Sequence, residues 1–179
     1  MDRKISRPLK SEAKTLLLVT CACAFLSILA TFDISEHHRA WRSATTWTDA
    51  QRSVAPALDA DSIKPLILAA LVNNTIIIAL SFTALLILGI FIASDDTKSL
   101  FAVKVIVWSI LSLGFILVLL LIVYKIKLGS RLLLKGPIYD YNLRLQPPLL
   151  LSLVGYPLVI ISAVLSRLPG GFRGRPSRD

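Results

Sequence analysis

The sequence predicts an all-α protein, a polytopic integral membrane protein built as a four-helix transmembrane bundle. Of its 179 residues, 55% are hydrophobic and only 17% are charged. A soluble globular chain carries about 45–50% and about 25%. The mean hydropathy is +0.70. The apolar excess is gathered into four blocks of at least 18 residues with almost no charge. Blocks of that length cross a hydrocarbon core about 30 Å thick as helices. Almost all of the charge lies outside these blocks, with basic residues flanking them. This composition excludes a soluble enzyme, a disordered tail protein and a disulfide-stapled secreted domain.

Residues 1–14 form a basic N-terminal segment in which Arg3, Lys4, Arg7, Lys10 and Lys14 face Asp2 and Glu12. The first span, Thr15–Phe32, is 18 uncharged residues long, just enough to cross. An uncleaved span is favoured over a secretory signal: Ala30 offers a cleavage position, but Ile28 stands where a small residue is preferred. Residues 33–64 are expected to be a polar loop. The second span, Pro65–Ala93, has 29 residues and reaches about 43 Å, so it tilts or emerges from the core.

Asp95–Lys98 make a short turn, and Asp96-Thr97-Lys98-Ser99 offers a cap for the third span, Leu100–Ile126. A turn this short makes the second and third spans an antiparallel hairpin. Lys125, Lys127 and Gly129 suit a helix C-terminus. The segment 127–146 is basic and aromatic, with Arg131, Lys135, Tyr139, Tyr141 and Arg144. The fourth block, 147–168, opens at Pro147-Pro148 and contains Pro157, which is expected to kink it near Leu153. Residues 169–179 are a flexible basic tail. The membrane domain is thus 15–168, with spans at 15–32, 65–93, 100–126 and 147–168.

The formal net charge is +9. Beside apolar blocks, the expected partners of these cations are anionic lipid head groups, not nucleic acid. Four spans with an internal N-terminus export the basic 127–146 segment, against the positive-inside tendency. Two alternatives relieve this conflict. Either the last block is re-entrant around Pro157, or the first lies in the interface. The even count is preferred because both terminal blocks are long enough to span. Cys21 and Cys23 lie too close on one helix to bridge each other and read as small packing residues.

The candidate binding spot is the adjacent amide pair Asn73 and Asn74, about a third of the way along the second span. Polar groups in hydrocarbon need partners. Adjacent helical positions diverge by about 100°, so the two amides address different neighbours. The expected role is interhelical hydrogen bonding, worth roughly 0.6–2 kcal/mol; the functional alternative is a polar binding spot. Asp33 and His37 share a helix face if the first span continues, but with only two histidines in the chain a solvated head-group face is expected instead. Trp41 and Trp47 suit an interfacial helix or a partner-binding loop, and Trp108 suits packing. Small pairs such as Cys23 with Ser27 and Ala79 with Thr83 favour close helix approach.

The cores of the four blocks read as free of ionisable groups, which argues against proton-coupled transport, voltage sensing and intramembrane proteolysis. No catalytic, metal-binding or cofactor motif is recognisable. The expectation is a non-catalytic accessory or assembly subunit that packs against other membrane protein subunits. A plasma or bacterial inner membrane is favoured. The alternative is a pore or carrier for a neutral or lipidic solute.

Overall fold

The structure, a computed structural model, describes residues 7–44, 60–94, 97–128, 133–134, 141–142 and 146–165. It contains four long helices: α1 (Arg7–Ala44), α2 (Ala60–Ser94), α3 (Thr97–Leu128) and α4 (Pro147–Leu165). Between α3 and α4, the two-residue segments β1 (Leu133–Leu134) and β2 (Tyr141–Asn142) pair antiparallel, Leu133 with Asn142 and Leu134 with Tyr141. By length and composition all four helices can cross a membrane. Trp47, the Asp95-Asp96 turn, Gly129, most of the basic 127–146 segment and the tail lie outside the described residues.

A heptad-like repeat explains the packing. On α1 the buried positions Leu16, Thr20, Cys23, Ser27, Ala30, Ile34, His37 and Trp41 follow one another in alternating steps of four and three. The same stepping runs through Ile63, Ile67, Ala70, Asn74, Ile77, Ser81, Ala84, Leu88 and Phe91 of α2. On α3 it runs from Leu100 through Val107 and Leu117 to Tyr124. A mean step of 3.5 residues keeps one seam of each helix facing its neighbours over its full length, the pattern of left-handed bundle packing. Leu26, Asp33 and Ala40, seven residues apart, form a second buried line on α1; Leu26 and Asp33 on it face α4.

The contacts set the helix directions. Glu12 meets Lys104 at one end of the bundle, and His37 and Trp41 meet Tyr124 at the other, so α1 and α3 are parallel. Asp33 meets Leu149 while Cys23 meets Tyr156, so α4 runs antiparallel to α1. The largest interface joins α2 to α3, the expected hairpin; α1 touches all three other helices, and α4 rests mainly on α1. The 21 steps from Glu12 to Asp33 rise about 31 Å, matching a hydrocarbon core.

One expectation is corrected. The first helix does not stop at Phe32 but continues to Ala44, so residues 33–44 are helix, not loop. The buried stepping of Ala30, Ile34, His37 and Trp41 carries it on, because these side chains pack beneath the ends of the other helices. In the fourth block, Pro147–Leu165 form one helix that includes Pro157. Its alignment with α1 from Asp33 down to Cys23 favours a span over a re-entrant turn. Similarly, α2 begins five residues before Pro65, where a proline interrupts only the opening of the hydrogen-bond ladder.

Two outcomes follow. Single cysteines at Ser43, Ser130 and Ser177, in a chain lacking Cys21 and Cys23, are expected to label from one side for the first two and from the opposite side for the third. Gly114 and Gly89 form a second test. A Cβ on Gly114 would stand 2.5 Å from Cδ1 of Tyr156, whereas one on Gly89 meets nothing within 4 Å. Gly114→Ala is therefore expected to cost about 1–3 kcal/mol by overpacking, and Gly89→Ala to be neutral or stabilising by about 0.4–1 kcal/mol. Thermal melts in detergent compare the two.

Candidate functional site

The candidate site is a layer of polar side chains inside the bundle, and α1 organises it. Ser27 lies at its centre, fully buried between α2 and α4. The backbone carbonyl of Ser27 accepts from Asn74 Nδ2 at 3.0 Å and from Thr31 Oγ1 at 2.8 Å. The Ser27 hydroxyl is hydrogen-bonded to the Tyr156 hydroxyl of α4. Tyr156 donates its single proton to the Cys23 carbonyl at 3.2 Å. A phenol has one proton to give, so Ser27 donates to Tyr156.

Asn73 and Asn74 do face different neighbours, as the helical geometry requires. Asn73 Nδ2 donates to the Leu113 carbonyl of α3 at 2.9 Å. Asn74 Nδ2 uses both of its hydrogens on α1, one on Ser27 O and one on Thr31 Oγ1, the latter at 3.0 Å. The amide cannot turn over, because its oxygen would then confront the Ser27 carbonyl, which has no proton to offer. Asn74 is 1% exposed, and its Oδ1 has no hydrogen-bond partner among the described residues. An unsatisfied acceptor at such a depth costs about 1–3 kcal/mol.

The layer closes on α3 through shape. The ring of Tyr156 lies so close to Gly114 that no side chain fits there. Gly155 of α4 likewise lies against Leu26, with an added Cβ only 2.7 Å from Leu26 Cδ2. These two glycines let α3 and α1 approach α4 closely enough for its hydroxyls to reach α1. Thr20 and Ser81 satisfy their own hydroxyls on the carbonyls four residues back, Leu16 and Ile77, as buried helical hydroxyls do.

A second polar group closes the Asp33 end. Helix α4 opens with Pro147 and Pro148, neither of which has an N–H, so Leu149 supplies its first backbone donor after Gln146. That donor goes to Asp33 Oδ2 of α1 at 3.2 Å. A carboxylate at a helix N-terminus is favoured by the orphan amides and by the dipole; here it comes from another helix and docks α4. Gln146 Nε2 adds a bond to Glu36 Oε2 at 2.9 Å. Beside them His37 Nδ1 lies 2.9 Å from the Tyr124 hydroxyl, to which Trp41 Nε1 donates at 3.1 Å.

The sequence reading puts Asp33 and His37 at a solvated head-group face and Trp41 in an interfacial helix or a partner-binding loop. They are instead 2%, 0% and 2% exposed, because the extension of α1 carries them under α3 and α4. Asp33 bonds to Leu149 of α4 and His37 to Tyr124 of α3. Among the described residues no three His, Cys, Asp or Glu side chains gather as metal ligands.

Sequence reasoning missed Tyr124 and Tyr156, whose partners lie 83 to 133 residues away. It also missed Lys104, which stands inside the third block and pairs with Glu12 at 2.7 Å. One signal for Asp33 and Trp41 was present: both continue the buried steps of α1 beyond the apolar run.

Asp33→Ala is expected to lower stability by about 0.5–2 kcal/mol, the worth of a helix cap, and to loosen α4. Asp33→Asn, which keeps an acceptor oxygen, is expected to recover part of the loss. Thermal melts with limited proteolysis near Gln146 measure both.

The chain matches no family model, and no curated protein and no solved structure is similar to it.

Proposed function

We propose that the protein is a small, non-catalytic accessory or assembly subunit that packs against other membrane protein subunits in a plasma or bacterial inner membrane. One observation supports this most. Nearly every polar atom of the buried layer is engaged in holding the protein's own helices together, while α4 presents most of its surface outward. Of its 19 residues only Leu149, Ser152 and Tyr156 are buried. Leu150, Leu151, Val154, Leu158, Ile161 and Val164 are exposed. A helix tethered along one narrow line and apolar elsewhere offers a partner helix a long face for van der Waals packing, the main force between helices in lipid.

A second reading, a pore or carrier for a neutral or lipidic solute, rests on Asn74 Oδ1, which has no hydrogen-bond partner among the described residues. A hydroxyl or N–H of a neutral solute would supply the missing donor. Two measurements separate the readings. Purification of the full chain in mild detergent is expected to bring a second polypeptide in fixed ratio, and Val154→Trp with Ile161→Trp on the outer face of α4 to release it. A particle strictly monomeric and unaccompanied overturns the subunit reading. If the protein is a carrier, Asn73→Leu with Asn74→Leu abolishes solute flux in reconstituted vesicles while insertion stays normal.

A further inference from the structure

Lys104 stands within the candidate span Ser99–Lys127, where a charge is costly unless it reaches the interface or a partner. Its ammonium meets Glu12 at 2.7 Å, and both side chains stay partly open to the surroundings. Beside this pair an open groove of about 670 Å³ runs along α3, lined by Phe101, Lys104, Val105, Trp108, Ser112 and Leu113, with Ser109 between them. Ser109 and Ser112 donate to their own helix, to Val105 O at 3.1 Å and Trp108 O at 3.0 Å.

The groove therefore has one polar end and one apolar run. From Lys104 to Leu113 the helix rises about 14 Å, close to one leaflet of a core about 30 Å thick. The polar end lies at the Glu12 boundary of the bundle, where α3 begins and its dipole is positive. The first fourteen residues, which lead into this end of α1, carry five basic residues against two acids. An ammonium has three donors, and Glu12 takes one.

We infer that this groove is a phospholipid site: one acyl chain lies along Val105, Trp108 and Leu113, and the head-group phosphate of an anionic phospholipid sits on Lys104. Cation, groove length and apolar wall match the order of parts in such a lipid, phosphate at the boundary and hydrocarbon below. Neither the subunit reading nor the carrier reading is required for it.

The test is native mass spectrometry of the full chain released from nanodiscs of phosphatidylcholine with or without phosphatidylglycerol. The wild type is expected to retain one phosphatidylglycerol in preference to phosphatidylcholine. Lys104→Gln should cut that preference about fivefold, the worth of one surface cation. Glu12→Gln, which removes the competing carboxylate, should raise it. Ser109→Trp should fill the groove and expel the lipid with Lys104 in place, and Phe82→Trp on the outer face of α2 should change nothing. If Lys104→Gln does not insert, Glu12→Gln and Ser109→Trp decide. Equal retention of the two lipids, retention indifferent to Ser109→Trp, or a second polypeptide in the lipid's place overturns the inference.

Discussion

Ser27 is the junction on which the bundle depends. Its carbonyl holds α2 through Asn74 and its hydroxyl holds α4 through Tyr156. Tyr156 in turn lies against Gly114 of α3. One residue of α1 thus ties two helices directly and orients the contact with the third. In water such bonds would be worth little, because solvent competes for every donor. In hydrocarbon the alternative is an unsatisfied group costing several kcal/mol, so a small set of hydroxyls and amides dictates register.

The apolar seams and the polar layer do different work. The alternating steps of four and three align α1, α2 and α3 lengthwise, but a uniform aliphatic seam tolerates sliding by a turn. Asn73 on the Leu113 carbonyl and Asn74 on Ser27 and Thr31 remove that freedom. Helix α4 shows the same division more sharply. It buries little, yet Leu149, Ser152 and Tyr156, three and four residues apart on one face, each make a hydrogen bond to α1. Its docking is therefore mostly polar, and most of its apolar surface is left facing outward.

Several features were legible along the chain. The four apolar blocks, the tight hairpin between the second and third spans, and the divergence of Asn73 from Asn74 all follow from local rules of length, turn and helical period. The polar run Asp33-Ile34-Ser35-Glu36-His37-His38-Arg39 misled, since composition reads it as loop. The partners that hold its end are distant: Trp41, two residues on, donates to the hydroxyl of Tyr124, 83 residues away. Lys104 was hidden in the same way, as its neighbour Glu12 lies in a segment that reads as a solvated leader.

The sequence by itself determined the class of fold, the number of membrane-length helices and the antiparallel hairpin, because each depends on residues near one another in the chain. Only the tertiary structure decided that Asp33 caps α4, that Tyr156 needs the bare surface of Gly114, that Asn74 Oδ1 finds no donor among the described residues, and that a groove begins at Lys104. These depend on which faces of separate helices meet. Side-chain hydrogen bonds act over about 3 Å, so their partners exist only once packing has brought distant segments to that range.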